Sequence, residues 1–149
     1  MISYITGDAV AFTAYATSSR TYDNRDIIRF DRVITNVGTH YSVTTNKFVC
    51  PRRGLYLFSL TLHQHKDAVQ AIEGAVMLDG NEIAEVSAWS DDDDESGKRE
   101  GDQSSIRTTV VCEANQNVWA EVVDGVFGEI FGHSVGPFTM FTGVLIKPM

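Results

Sequence analysis

The stretch GLYLFSLTLHQH, residues 54–65, alternates between two sets of side chains along its whole length. Successive side chains of an extended chain point to opposite faces, so every second residue lies on the same face. One face carries Tyr56, Phe58, Leu60 and Leu62, and the other carries Leu55, Leu57, Ser59, Thr61, His63 and His65. The stretch therefore predicts a long β-strand with one strongly apolar face.

The same period of two recurs in shorter runs along the rest of the chain. Within residues 75–89, two apolar runs meet at Asp79-Gly80, which is a strong hairpin signal. Residues 106–123 are typical of a strand, a polar turn at 115–117 and a second strand. Further strands are predicted over residues 9–16, 27–36 and 137–148. No stretch of ten or more residues carries a convincing helical period, so the pattern indicates an all-β sandwich or jelly roll.

The composition is that of one globular domain. The chain has 149 residues, of which 43% are hydrophobic and 21% are charged, so it can bury a core and is not disordered as a whole. Its formal net charge is -8. An acidic protein repels phosphate backbones, which argues against non-specific binding to nucleic acid. Much of the negative charge is concentrated in residues 91–102.

Several function classes lack the sequence signals that they need. No apolar run is long enough to span a bilayer, so we expect no membrane insertion. The first residues, MISYITGDAVAF, show neither the basic region nor the long apolar core of a signal peptide. The chain has no nucleophile elbow, phosphate-binding loop, HExxH motif or CxxC motif, so we expect a protein that is not an enzyme.

Five segments, taken in order, resemble those of a known family. They are VAFTA (10–14), IRFDRVITNVGTHY (28–41), FVCPRRGLYLF (48–58), MLDG (77–80) and FTMFTGVLIKP (138–148). Each is similar to a segment of the globular complement C1q domain, and together they extend over residues 9–148. One such motif would be a weak signal, but five in the family's order indicate a C1q-like domain.

The resemblance implies a ten-stranded jelly-roll sandwich of two five-stranded antiparallel sheets, related to domains of the tumour necrosis factor type. It also implies an extracellular, secreted homotrimer. We therefore expect residues 1–8 to form an N-terminal segment and residues 9–149 to form the C1q-like domain. The family's usual collagen stalk does not occur in the sequence, so the chain resembles the stalkless C1q-domain proteins of invertebrates, bivalves especially.

Such proteins are typically soluble recognition proteins of innate immunity. The resemblance therefore implies lectin-like binding of carbohydrate or other microbial surface patterns, without catalysis. Two alternatives remain open. The chain would act as a trimeric ligand of another extracellular protein in signalling, adhesion or matrix, or it would bind metal ions or biomineral.

The chain departs from the family at one turn. Where the family usually has a Gly-Asp pair before a Val-Trp strand, this chain has Asn115-Gln116. Asn adopts left-handed turn geometry nearly as well as Gly, so we expect the turn to be kept. The carboxylate that the family's aspartate provides has no counterpart here.

The acidic run is a candidate Ca²⁺ site, because Ca²⁺ takes six to eight oxygen ligands. Some members of the family bind Ca²⁺ near the trimer axis through an aspartate that leads into a strand. The matching positions here are Asp102 and, further upstream, Asp93 and Asp94. The run lacks the spacing of an EF-hand loop. A solvated loop and a contact with a cationic partner remain alternative interpretations.

Two further pairs of residues indicate possible sites. His63 and His65 share one face of the predicted strand, about 7 Å apart, where they could bind Zn²⁺ or Cu²⁺ with further ligands. Ordinary polar residues at a strand end are the alternative.

In the fold of the family Cys50 and Cys112 come close together, so the resemblance implies a disulfide, with two buried free thiols as the alternative.

Four residues are candidate ligand contacts. Phe127 and Phe131 lie in the Gly-rich, irregular stretch 124–136, where their rings would either stack on a sugar or cover the edge of the core. Arg52 and Arg53 begin a predicted strand. A guanidinium can form a fork of two hydrogen bonds to a carboxylated sugar such as sialic acid.

Overall fold

The computed structural model describes residues 9–65, 71–88, 102–123 and 128–149. Within these ranges the chain forms β-strands and turns, and no helix is long and apolar enough to cross a membrane. The strands are Ala11–Tyr15 (β1), Arg20–Tyr22 (β2), Arg32–Val37 (β3), Tyr41–Ser42 (β4), Lys47–Val49 (β5), Gly54–His63 (β6), Ile72–Leu78 (β7), Asn81–Ala88 (β8), Gln103–Cys112 (β9), Asn117–Val122 (β10), Gly128–Ile130 (β11) and Met140–Pro148 (β12). The predicted N-terminal segment, residues 1–8, lies outside the described residues.

Two five-stranded antiparallel sheets form the body of the protein. Sheet I has the strand order β3-β1-β12-β6-β9, and sheet II has the order β4-β5-β10-β7-β8. A short two-stranded ladder pairs β11 with β2. Neighbouring strands of sheet I are mostly distant in the chain, as β1 and β12 are, which is the connectivity of a jelly roll. The predicted all-β sandwich of two five-stranded sheets is confirmed.

Strand β6 lies inside sheet I, between β12 and β9. The predicted apolar face points into the core, with no exposed surface left on Tyr56, Phe58, Leu60 and Leu62. The residues between them are only half-buried and lie on the outer face of the sheet. The strict alternation of the sequence is therefore the pattern of a strand that packs one face on the core and turns the other outward.

Aromatic rings fill the centre of the core. Phe12 of β1 stacks on Phe48 at 5.0 Å between ring centroids and meets Phe141 edge-on at 5.0 Å. Such pairs stabilise the core beyond the effect of burial alone. Gly143 of β12 lies opposite Phe12, and a Cβ atom at this position would lie 2.4 Å from the ring. The close approach of the ring to the β12 backbone therefore requires glycine.

Both predicted turns are confirmed. Asp79 and Gly80 join β7 to β8 with φ angles of 47° and 87°, the left-handed geometry of a tight hairpin turn. Asn115 has a φ angle of 70°. The side-chain oxygen of Gln116 accepts the N–H of Glu113 at 2.8 Å, which closes the turn before β10. Asn115-Gln116 thus keeps the turn that the family usually builds with Gly-Asp.

The strand predicted over residues 27–36 is shorter than expected, because β3 begins only at Arg32. The preceding residues still send Phe30 into the core with no exposed surface. The N–H of Phe30 donates to Asn46 Oδ1, and its carbonyl accepts the hydroxyl of Tyr41. Side chains rather than a neighbouring strand therefore satisfy the backbone of Phe30.

Cys50 and Cys112 are joined in a disulfide, and both residues are fully buried. Cys112 ends β9, opposite Gly54 at the start of β6. The N–H of Asn115 donates to the carbonyl of Cys50 at 2.7 Å, which holds the segment after β9 against the segment before β6. The cross-link thus ties the segment between β5 and β6 to the end of β9, and its two cysteines are 62 residues apart in the chain.

Candidate ligand-binding site

A groove opens beside β2 and the turn between β4 and β5. It has a volume of about 740 Å³, inside the range of roughly 300–1,000 Å³ that is typical of ligand sites. Two stretches of chain line it, residues 18–31 and 43–46, and most of their side chains are polar. We call it the arginine groove, after Arg20, Arg25 and Arg29 in its lining.

The local structure of residues 27–31 explains why charged groups line the groove. Ile28 and Phe30 are fully buried in the core. The alternating direction of side chains in an extended segment then turns Arg29 and Asp31 the other way, into the groove. The hydrogen bond from Phe30 N–H to Asn46 Oδ1, at 3.0 Å, joins the two stretches that form the walls.

Both aspartates of the arginine groove are engaged in local hydrogen bonds. Asp31 accepts the backbone N–H of Thr17 at 2.9 Å and also accepts its hydroxyl. Burial alone would raise the pKa of Asp31, but these hydrogen bonds and the charge of Arg32 outweigh burial and lower the pKa. Asp26 accepts the N–H of Asp23 at 2.8 Å. Both carboxylates are thus tied to nearby backbone.

The three arginines of the groove differ in their partners. Arg25 forms an ion pair with Glu121 at 3.4 Å. Arg20 and Arg29 are exposed, and no carboxylate in the described part of the chain lies within ion-pair distance of either. The groove therefore presents two guanidinium groups that a ligand can approach.

Tyr22 lines the same groove, and its hydroxyl accepts the N–H of Arg29 at 3.0 Å. Burial raises the pKa of this phenol, and the hydrogen bond from Arg29 with the charges of Arg20 and Arg29 opposes burial without cancelling it. The phenol therefore stays protonated at neutral pH. Tyr22 as a whole packs in the core and is only 4% exposed.

A cluster of rings covers the part of sheet I where β6 ends. The ring of Phe131 lies 5.0 Å from His63, 5.9 Å from His65 and 5.3 Å from Phe138, centroid to centroid. The ring of His133 lies 6.3 Å from that of Phe131. We call these five residues the histidine cluster.

The histidine cluster places the predicted pair His63 and His65 around an aromatic ring. His63 Nδ1 bonds to the carbonyl of Gln64 at 2.9 Å, and His65 Nδ1 lies 3.6 Å from a carboxylate oxygen of Glu129. His133 Nδ1 accepts two backbone N–H groups. No group of three histidines, cysteines or acids in the described ranges is placed to hold a metal ion. A metal site at this pair stays a prediction that needs further ligands.

Two aromatic rings are predicted to contact a sugar, and the structure describes one of them. Phe127 lies outside the described residues. Phe131 is half-buried at the centre of the histidine cluster, an arrangement that agrees with covering the edge of the core. The ring of Phe138 is more open, with 41% of the residue exposed.

The predicted pair Arg52 and Arg53 does not line the arginine groove. Arg53 forms an ion pair with Glu113 at 3.1 Å. The carbonyl of Arg52 accepts the hydroxyl of Tyr56 at 2.8 Å. Contact of these two residues with a sugar stays a prediction, separate from the groove.

Of the predicted Ca²⁺ ligands, Asp93 and Asp94 lie outside the described residues. Asp102 is exposed just before β9, and its Oδ1 accepts the N–H of Gln103 at 2.9 Å. The described residues therefore supply one of the three predicted carboxylates. A Ca²⁺ site at this position stays a prediction.

The outer face of sheet I is a second candidate interaction surface. The strand register aligns three rows of residues across its five strands, namely Val37-Ala11-Val144-Leu57-Thr109, Thr35-Thr13-Thr142-Ser59-Arg107 and Arg32-Tyr15-Met140-Thr61-Ser105. The first row is mostly apolar and the second mostly hydroxyl-bearing. None of the rows contains an acid, although the chain has 20. A face without acids on an acidic protein is suited to contact with another protein surface.

No motif in the sequence marks the arginine groove. The available signal is a local concentration of positive charge, since four of the chain's 12 lysines and arginines lie between residues 20 and 32. The turn at 43–46, which forms the other wall, carries no charged residue. Its position across from the arginines follows only from the fold.

Comparison with known proteins identifies a matching domain family and related proteins. The sequence model of the C1q domain matches residues 11–146. Complement C1q tumor necrosis factor-related protein 3 of Mus musculus is 27% identical over 116 residues, which are 78% of this chain and 44% of that protein. Heavy metal-binding protein HIP of Mytilus edulis is 35% identical over 69 residues, which are 46% of this chain and 32% of that protein. The matched stretches cover less than half the length of these curated relatives.

Solved structures show the same fold at low sequence identity. The globular domain of zebrafish complement 1qA protein has a TM-score of 0.70 and 15% identity, over 94% of this chain and 99% of that chain. The Eiger TNF structure from S. frugiperda has a TM-score of 0.69 and 6% identity, over 95% of each chain. Proteins with a C1q domain are typically secreted trimers that act in recognition or signalling rather than catalysis. Because the domain model matches residues 11–146, well over half of the chain, this protein belongs to the C1q domain family.

Proposed function

We propose that the protein is a secreted, trimeric recognition protein that binds carbohydrate on microbial surfaces through the arginine groove, as part of innate immunity and without catalysis. The observation that carries the proposal is the groove, which combines a volume of about 740 Å³ with a lining of hydroxyl, carboxylate and guanidinium groups. An apolar ligand would strip water from these groups without replacing their hydrogen bonds, which is costly. The hydroxyl groups of a saccharide would replace these hydrogen bonds.

The lining offers both partners that a sugar hydroxyl needs. Thr21, Thr44 and Thr45 carry hydroxyl groups that donate and accept hydrogen bonds. Arg20 and Arg29 only donate, and the carboxylate oxygens of the groove accept. Since each sugar hydroxyl is both a donor and an acceptor, this mixture fits a polyol better than a ligand with one kind of polar group.

The trimer contacts in this proposal lie on the outer face of sheet I. The apolar row of this face runs through Val144 and Leu57, which are opposite each other on β12 and β6. Packing of this face against other copies would bury that row without bringing acids of the -8 chain together. A trimer presents three grooves on one body, and several weak sites that engage a repetitive surface together bind it far more tightly than one site does.

A glycan array probed with the full chain tests the proposal. We expect binding to a subset of saccharides, and we expect the same sugars in free form to displace the protein. Leu57→Arg is the companion variant, because a charge on the outer face of sheet I should separate the trimer and leave the arginine groove intact. Light scattering should show a monomer, and its affinity for a glycan-coated surface should fall by roughly 100-fold or more.

Two results would contradict the proposal. Absence of binding to every saccharide, with or without Ca²⁺, would remove the carbohydrate-binding function. Tight binding of a monomeric Leu57→Arg protein to the coated surface would remove the role of avidity. A circular dichroism spectrum that matches the wild type shows that the variant is folded.

The same array separates the alternatives. A trimer that binds no glycan favours a ligand of another extracellular protein, in signalling, adhesion or matrix. Metal or biomineral binding draws support from the Mytilus edulis relative named heavy metal-binding protein HIP. Calorimetric titration with Zn²⁺ tests this alternative, and absence of heat at millimolar ion removes it.

We also propose that Ca²⁺ stabilises the assembly through Asp102, with Asp93 and Asp94 as further ligands. Exposure of Asp102 at the start of β9 supports the proposal. Ca²⁺ at a concentration of about a hundred times its Kd would stabilise the folded protein by about 2.7 kcal/mol. This corresponds to a rise in Tm of roughly 5–10 °C. Asp102→Asn removes the charge at constant shape and should abolish most of this rise in a thermal melt.

The matched control for Asp102 is Glu82→Gln, which removes an exposed charge from β8. This variant should respond to Ca²⁺ as the wild type does. An equal rise in Tm for the wild type and Asp102→Asn would return the acidic run to the interpretation of a solvated loop.

A further inference from the structure

The charge of the arginine groove differs from that of the protein as a whole. The chain carries 20 acidic and 12 basic residues, yet the groove is lined by three arginines and two aspartates. An acidic protein would be expected to neutralise exposed arginines with its surplus carboxylates. Within the described residues that neutralisation occurs at one of the three, where Arg25 pairs with Glu121.

Within the described residues, the carboxylates of the groove form no ion pair with the other two arginines. Asp31 is held by the N–H and hydroxyl of Thr17, and Asp26 is held by the N–H of Asp23. These bonds direct the acids to the backbone of the wall. Two cationic groups in a concave surface with walls of low dielectric constant raise the local concentration of anions.

Arg20 and Arg29 both lie within electrostatic reach of one point in the lining of the groove, the hydroxyl of Tyr22. Burial, the largest effect, and the charge of Asp31 raise the pKa of Tyr22, whereas the hydrogen bond from Arg29 and the charges of Arg20 and Arg29 lower it. The hydroxyl also accepts the backbone N–H of Arg29 at 3.0 Å. Two positive charges and one negative charge therefore act on this region, so the arginines are in the majority there.

We propose that the arginine groove selects saccharides that carry an anionic group, and that Arg20 and Arg29 bind this group while the hydroxyl-bearing residues of the groove contact the sugar ring. This inference rests on the proposed carbohydrate-binding function. The guanidinium group presents its N–H donors in a planar fork that matches two oxygens of a carboxylate or a sulfate. The hydroxyl groups of Thr21, Thr44 and Thr45 supply contacts that a neutral sugar uses as well.

The test compares three oligosaccharides of equal length, one neutral, one with uronic acid carboxylates and one with sulfate groups, by calorimetry with the full chain. We expect an acidic saccharide to bind at least tenfold more tightly than the neutral one at low salt. The preference should shrink as ionic strength rises, because salt screens the charges. The carboxylate and sulfate arms show which anion the groove prefers.

Two variants assign the preference to the groove. Arg20→Gln and Arg29→Gln should each weaken binding of the acidic saccharide by about tenfold and leave the neutral saccharide unchanged. Lys147→Gln removes the same charge from an exposed position on β12 outside the groove, so it should bind all three saccharides as the wild type does. Unchanged thermal melts show that the three variants are folded.

The outcomes separate this inference from the function on which it rests. Equal binding of neutral and acidic saccharides would overturn the selection for anions and leave carbohydrate binding in place. A preference that Lys147→Gln weakens as much as the groove variants do would also overturn it, since the overall charge would then be the cause. Absence of binding to all three saccharides would overturn both proposals.

Discussion

Replacement of Phe12 by Ala should lower the free energy of unfolding by about 3–5 kcal/mol. Phe12 is 1% exposed, and its ring contacts Tyr41 at 4.8 Å, Phe48 at 5.0 Å and Phe141 at 5.0 Å. Truncation removes these contacts and leaves a cavity. Gly143, opposite Phe12 on β12, has no side chain that could move into the space.

Urea denaturation followed by circular dichroism, at several protein concentrations, measures this loss. Phe138→Ala is the matched control, because it makes the same chemical change at a ring that is 41% exposed, and it should cost less than half as much. Phe12→Leu keeps most of the volume and should cost about 1–2 kcal/mol, so it tests the same contacts if Phe12→Ala does not fold. An equal cost for Phe12→Ala and Phe138→Ala would contradict the central place of Phe12.

The parts of the fold that are visible in the sequence are those that local side-chain order encodes. The alternation of residues 54–65 predicts β6 and its buried face, because one face of a strand on the core requires an apolar residue at every second position. Asp79-Gly80 predicts the hairpin between β7 and β8 because few residues adopt its left-handed geometry without strain. Each of these signals is contained in one short stretch of the chain.

The arginine groove could not be predicted in the same way, since its walls meet through contacts between distant segments. Residues 27–31 show the spacing of a strand. Their actual conformation depends on two hydrogen bonds to distant residues, one from Phe30 N–H to Asn46 and one from the Tyr41 hydroxyl to the carbonyl of Phe30. Asn46 and Tyr41 give no local sign of these partners. The sequence therefore shows the arginines and not the concave surface that they share.

The same limit applies to the candidate ligand residues. Arg53 has the chemistry to bind a carboxylated sugar, but in the fold its guanidinium lies 3.1 Å from Glu113. His63 and His65 have the chemistry of metal ligands, but both pack on the ring of Phe131. Residue type indicates what a side chain can do, and the partner that competes for it is set by tertiary structure.

Removal of the disulfide should lower the free energy of unfolding by roughly 4 kcal/mol, because the cross-link closes a long loop and so restricts the unfolded chain. The loop is long since Cys50 and Cys112 are 62 residues apart. In a domain of this size the change corresponds to a drop in Tm of roughly 10 °C. Both cysteines are fully buried, so the double variant Cys50→Ala with Cys112→Ala is the suitable one, because it leaves no polar group in their place.

Thermal melts with and without a reducing agent measure how much the disulfide contributes to the Tm. Reductant should lower the Tm of the wild type toward that of the double alanine variant and should leave the variant itself unchanged. The single variant Cys50→Ala should match the double variant within about 1–2 kcal/mol, because loss of either sulfur breaks the same bond. The result that would contradict this prediction is an unchanged Tm of the wild type after its disulfide has been reduced in denaturant. The two cysteines would then stabilise the fold only through the packing of their side chains. The stability of the join between β6 and β9 would then come from their strand pairing alone.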